Sequence, residues 1–158
     1  MAIEVHLICI GKLKSPFREI AEEYESRLKK RVDLRIHEFQ ARSKAQDEQV
    51  LDREENELVQ KALEKIRRPG SVVWALSPRG KSISTEELAS RWEGFRLQSR
   101  TWIFLIGGSH GLQEELLKGC DFRLAFGPMT FPHQLFRGML LEQIYRADTI
   151  LAGEPYHK

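Results

Sequence analysis

Apolar and polar positions along the chain switch repeatedly between a period of two and a period near 3.6. Ile3 to Ile10 is dense in apolar and β-branched residues and stops at Gly11, which predicts a first strand. Ser15 followed by Pro16 predicts a helix start, with the hydroxyl as N-cap and the proline at the first helical position. Phe17, Ile20, Ala21, Tyr24 and Leu28 then recur at helical spacing and predict one apolar stripe laid on the core. Leu34 and Ile36 alternate with Arg35 and His37, so the stretch up to Phe39 predicts a short, half-exposed second strand. The polar run "ARSKAQDEQ" leads into a long charged helix over 47–67, with Val50, Leu51, Leu58, Ala62 and Ile66 as its apolar positions and "RRPG" as its stop.

The same alternation continues. "SVVWAL" at 71–76 predicts a third strand, and Ser84 with Glu87 three residues on predicts a capping-box start for a helix presenting Leu88, Trp92 and Phe95. "TWIFLIGG" is the most apolar strand and runs into a glycine loop. "FRLAF" at 122–126 is shorter and precedes a final helix from Pro132 to Ile150. Five strands alternating with helices predict an α/β fold, a mostly parallel sheet with helices on both faces. No repeat, low-complexity segment or linker divides the chain, so residues 1–158 are expected to form a single domain.

Composition narrows the class. With 41% hydrophobic and 30% charged residues the chain is neither disordered nor membrane-embedded, and runs such as "WIFLI" are too short to span a bilayer. No export or anchoring signal is visible, and a cytoplasmic location is expected. The formal net charge of +2 means that any nucleic-acid role must come from local arrangement. Cys9 and Cys120 are isolated, and His6, His37 and His110 lack ligand spacing, so no metal is expected.

In an open α/β sheet, ligands settle outside the carboxyl ends of the strands. Three such ends carry suggestive residues: "LSPRGK" after the third strand, "GGSHGL" after the fourth and "GPMTFPHQ" after the fifth. Gly107, Gly108 and Gly111 let backbone approach a ligand closely, although a plain tight turn accounts for them as well. Met129 and Phe131 could wall a flat apolar ligand such as an adenine; core packing beside a proline-started helix is the alternative. His133 and Arg137, four residues apart, share a face near the start of the last helix and suggest an anionic substrate. Glu142 and Arg146 have the spacing of a surface ion pair. The basic run "RLKKRVDLR" at 27–35 reads as a solvated helix end, with phosphate contacts through Lys29, Lys30 and Arg31 left open. The final "GEPYHK" reads alone as a loose polar end.

Together, "FLIGGSHGL", "MTFPHQLFRGMLLEQIYRA" and "GEPYHK" closely resemble, in order and spacing, the bacterial large-subunit ribosomal RNA methyltransferase H family. "ICIGKLK" and "EYESRLKK" extend the likeness over essentially the whole chain. The resemblance implies an α/β-knot (SPOUT-class) enzyme that moves a methyl group from S-adenosyl-L-methionine to N3 of a pseudouridine in 23S rRNA of the large subunit or whole ribosome. It places the cofactor against Leu76, Gly107, Gly108, Phe126, Gly127, Pro128, Met129, Thr130 and Phe131. It also implies a homodimer in which His133 and Arg137 beside the cofactor are joined by Tyr156, His157 and Lys158 from the second chain, making the tail a substrate clamp. Gly138, Asp148 and the terminal lysine depart from common family sequences. The alternatives are a non-catalytic ribosome-binding or assembly factor and a knotted methyltransferase acting on transfer RNA.

Overall fold

The computed structural model describes residues 2–41 and 46–158; of the polar run "ARSKAQDEQ", residues 42–45 lie outside the described residues. Among the described residues ten elements follow in order: β1 (Glu4–Ile10), α1 (Phe17–Leu28), β2 (Asp33–Phe39), α2 (Glu48–Ile66), β3 (Val72–Lys81), α3 (Thr85–Leu97), β4 (Trp102–Ile106), α4 (Glu114–Lys118), β5 (Phe122–Leu124) and α5 (His133–Leu151). The strands form one sheet in the order β2-β1-β4-β3-β5, with every pairing parallel. The alternation of strand and helix thus produces the expected parallel sheet, and α4 is a short helix that the pattern did not reveal.

The sheet is covered on both faces. Val5, Leu7 and Cys9 of β1 point into one cluster with Ala21, Leu28, Trp92, Leu140 and Ile144 of α1, α3 and α5. Ile8 and Ile10 point the opposite way, to Val59 and Leu63 of α2 and Leu116 and Leu117 of α4. This is the period-two consequence of a strand buried on both sides. Trp102, fully buried, has its ring centroid 4.9 Å from Trp74, 5.1 Å from Trp92 and 4.5 Å from Phe104, so four large aromatics fill the centre of the first layer.

Several local expectations change. Pro16 occupies the N-cap of α1 without a side-chain cap bond, and the Ser15 hydroxyl instead donates to the Glu19 carboxylate. Ile20 stays 40% exposed at the edge of the stripe, because the helix turns Ala21 and Leu28 inward. On α2 the buried face is Asn56, Val59, Ala62 and Leu63, whereas Leu58 is only half-buried. Asn56 is buried because it is useful there: its amide oxygen accepts from the Gln113 N–H at 2.8 Å and so fastens α2 to the loop after β4. Ser84 does cap α3, accepting from the Glu87 N–H at 3.0 Å, but the Glu87 carboxylate turns to Arg91 rather than closing a capping box.

Candidate active site

All five strands are parallel, so the loops after β1, β3, β4 and β5 leave the same edge of the sheet. Leu76 of β3 is in register with Leu124 of β5, and Gly107 and Gly108 follow β4 directly beside them. Gly111 donates its N–H to the Gly108 carbonyl at 3.0 Å, folding the glycine loop tightly on itself. A side chain at Gly107 would place Cβ 2.6 Å from the Gly111 carbonyl carbon, so only glycine fits that crossing.

A cavity of about 180 Å3 opens at this edge between Ser82, Ser84, Leu88, Leu124, Phe126 and Gly127, with Leu140 and Gln143 of α5 on its far side. Of the expected cofactor residues it gathers Phe126 and Gly127. Gly107 instead borders a second, smaller cleft with Ile10, Lys12, His133 and Arg137. Pro128, Met129 and Thr130 are exposed, Met129 at 74%, so Met129 walls no cavity within one chain. Phe131 is held edge-on by Phe136 at 6.0 Å, and Phe136 also stacks on Phe126 at 5.8 Å. The two loop phenylalanines are thereby pinned to α5. Ser82 and Gln143 escaped the sequence reading, and Ser84 entered it only as a helix cap, since a hydroxyl or amide beside a cap carries no signal beyond capping.

His133 is exposed at the mouth of the second cleft, while Arg137 is buried. Arg137 donates to the Glu38 carboxylate at the end of β2 and, at 3.1 Å, to the Gly11 carbonyl. Its charge is therefore already compensated, and the guanidinium first of all ties the loop after β1 to α5. The Gln134 side chain strengthens the same seam by accepting from the Lys14 N–H at 2.8 Å. Cys9 lies beneath; burial pushes its thiol up to about 12, so it stays an inert core group.

The last residues are fastened rather than loose. Gly153 adopts φ +68°, its N–H donates to the Ile150 carbonyl, and the Glu154 N–H donates to the Thr149 carbonyl, the two bonds of a Schellman stop. The chain then folds back along α5. The Tyr156 hydroxyl donates to Glu142 at 3.1 Å, and its ring lies edge-on to Tyr145 with the Arg146 guanidinium 4.7 Å from its centroid. Glu142 and Arg146 do pair, at 2.6 Å, but as a half-buried seat for this ring rather than a bare surface pair. Burial above all, then bonds to Tyr24 and Glu142, raises the Tyr156 phenol well beyond its ordinary value.

His157 sits between Arg146 at 3.3 Å and Glu86 at 3.0 Å. An arginine can only donate, so Nδ1 accepts and Nε2 carries the proton given to Glu86. Glu86 lies two residues beyond Ser84, which brings the tail close to the rim of the larger cavity. Lys158 is exposed. In the basic run, Arg27 pairs with Glu23, Lys29 with Glu25, Arg31 with Asp148 and Glu154, and Arg35 with Asp33. Pairing within the chain thus accounts for four of these cations; Arg27 and Lys29 pair at i, i+4 as a charged helix end would, whereas Arg31 reaches the distant Asp148 and Glu154.

A doubly covered parallel sheet whose glycine and proline loops leave one edge, beside two clefts, is an arrangement in which α/β enzymes hold a nucleotide cofactor. The pattern of the family described as "Predicted SPOUT methyltransferase" matches residues 3–157. The chain is 43% identical over 99% of its length to the whole of the ribosomal RNA large subunit methyltransferase H of Clostridium botulinum strain Kyoto, and 39% identical to that of Alkaliphilus oremlandii over the same shares. A solved methylase family protein from Haemophilus influenzae superposes with a TM-score of 0.60 at 16% identity, covering all of this chain and 72% of that one, which supports the fold alone. The chain therefore belongs to the ribosomal RNA large subunit methyltransferase H family of SPOUT methyltransferases. Membership carries the α/β knot and the use of S-adenosyl-L-methionine.

The residues present fit that cofactor. Leu88, Leu124, Phe126 and Leu140 offer apolar surface to an adenine and a methylene chain, and Ser82, Ser84 and Gln143 offer hydrogen bonds to hydroxyl or amino groups. The cavity of about 180 Å3 is smaller than the roughly 300–1,000 Å3 of most ligand sites, so loop residues outside it, or a further wall, must cover the rest of the molecule.

Proposed function

We propose that this chain is a single-domain, cytoplasmic enzyme over residues 1–158 that methylates N3 of a pseudouridine in 23S rRNA, on the large subunit or whole ribosome. One observation carries the reading: relatives named for methylating large-subunit ribosomal RNA match end to end, and in this chain the three strand-end loops leave one edge of the sheet. Among the described residues no helix is long and apolar enough to cross a membrane, in keeping with a ribosomal substrate.

Leu76, Gly107, Gly108 and the 126–131 loop would hold the cofactor, which when bound supplies a methyl group activated on a sulfonium. The chain's own task is to present the acceptor nitrogen in line and to let its proton leave. His133, exposed beside Gly107, is placed to contact the base, and Arg137 fixes the loop carrying Lys12 and Lys14 around the same cleft. Burial and the bonds to Tyr24 and Glu142 favour the neutral phenol of Tyr156, a form that can stack on a base and donate. In one chain its hydroxyl is anchored at Glu142, nine residues along α5 from His133 and so roughly 14 Å along the axis at 1.5 Å per residue. His133 and the tail are thus brought to one substrate most simply by a second copy, which supports a homodimer with a composite site.

The test is methyl transfer from isotopically labelled S-adenosyl-L-methionine to purified ribosomes, followed by mass spectrometry of rRNA fragments. The expected result is one methyl on a pseudouridine, lost on removing Tyr156 to Lys158 while cofactor affinity stays within about threefold (roughly 0.6 kcal/mol). Label in transfer RNA instead, or full activity without the tail, would overturn the reading.

A further inference from the structure

The tail is also held through Arg31, in the turn before β2, and through Asp148. Asp148 of α5 is buried, and its carboxylate accepts three N–H donors from two other parts of the chain. Oδ1 takes Trp92 Nε1 at 3.0 Å and Arg96 Nη1 at 2.9 Å, both from α3. Oδ2 takes Arg31 Nη1 at 2.9 Å, from the turn after α1. The other arm of the same guanidinium, Nη2, donates to the Glu154 carboxylate, and Arg31 Cζ lies 5.2 Å from the Tyr145 ring centroid.

The two arms of Arg31 differ in what they can contribute. The Asp148 carboxylate is already satisfied by Trp92 and Arg96, and the arm directed to it fixes the guanidinium in the interior. The arm directed to Glu154 meets a carboxylate whose side chain is 42% exposed, and pairs that exposed add little to global stability. A donor already immobilised loses little further entropy when it captures a partner, so what the second arm does well is select one conformation of the segment bearing Glu154. That segment begins at the Schellman stop on Gly153 and carries Tyr156 two residues after Glu154.

We propose that Asp148 and Arg31 are positioning residues for methyl transfer, acting through Glu154 to set Tyr156 and His157 before substrate arrives. The inference rests on the tail's being part of the active site. Glu154→Ala removes the handle without disturbing the buried carboxylate, and Arg31→Lys keeps the charge but lacks the two-armed fork.

The experiment compares both variants with the parent chain and with a chain lacking residues 156–158, measuring ribosome methylation, cofactor affinity, thermal midpoint and amide hydrogen exchange. Expected for both variants is a kcat roughly two- to fivefold lower, cofactor affinity within twofold, a midpoint within a few degrees and faster exchange at the Gly153 and Glu154 amides, which bond the Ile150 and Thr149 carbonyls. A kcat unchanged in Glu154→Ala, while the shortened chain is inactive, overturns the clamp and leaves the tail's role standing. A fully active shortened chain overturns the role of the tail, and the clamp with it.

Discussion

Tyr156 and Arg137 both carry polar groups whose partners decide what chemistry they can do. The folded chain holds the Tyr156 proton more tightly than the unfolded chain, because burial and the bonds to Tyr24 and Glu142 favour the neutral phenol. Stability from this source is complete below the ordinary phenol value of about 10 and is lost as the pH rises from there. Urea unfolding between pH 8 and 11 should show that alkaline loss, and Tyr156→Phe should flatten it. Arg137, by contrast, shares with His133 the helix face that the spacing predicts, and both border the second cleft. Its burial against Glu38 was not legible, because that contact spans 99 residues and joins the end of a strand to the start of a distant helix.

At the scale of elements, two seams invite measurement. The crossing of Gly107 over Gly111 leaves no room for a methyl group, so Gly107→Ala must displace the loop after β4. Titration calorimetry should show cofactor affinity at least tenfold weaker, about 1.4 kcal/mol, with the sheet intact by circular dichroism. On the outer pair β1–β2, His6 Nδ1 and His37 Nε2 lie 3.0 Å apart with the rings stacked. Burial first, and for His37 its neighbours His6 and Arg35, lower both imidazoles. Glu4 and Asp33 oppose the shift at His6 without reversing it. The stability gained by keeping both rings neutral is present above about pH 6.5 and is lost as the pH falls below it. Thermal midpoints from pH 7.5 to 5 should therefore drop, and less steeply in His37→Gln, which keeps an acceptor without the titration. Period and punctuation announced the strands, the long helices and the three loops. They did not announce α4, whose five residues are too few for a period, nor Gly138, where α5 passes so close to α1 that a Cβ would lie 2.9 Å from Ile20 Cγ2.

For the whole molecule, the separation of His133 from the tail makes the number of copies a functional question. If each site takes His133 from one chain and Tyr156 from another, a chain lacking 156–158 mixed with an inactive His133→Ala chain should regain activity. With random pairing, half of the dimers are mixed, and each of those has one intact site, so methylation should recover to about a quarter of the parent value. No recovery, with both chains shown to pair by sedimentation, would place the whole site within one chain.

The order β2-β1-β4-β3-β5 also governs how the polypeptide can come together as it is made. β4 is the strand bonded to both β1 and β3, yet it is fourth in sequence, and no direct pairing joins β1 to β3. β1 presents an apolar edge with no neighbour between the emergence of Ile10 and of Trp102, roughly 5–18 s at 5–20 residues per second, and β3 joins it for the last roughly 1–4 s, once Lys81 has emerged. The nascent chain must spend that interval either shielded or unpaired. Burial of Trp102 among Trp74, Trp92 and Phe104 then marks the moment at which the two halves become one sheet, and a fluorescence change on release of successively longer ribosome-bound chains would time it.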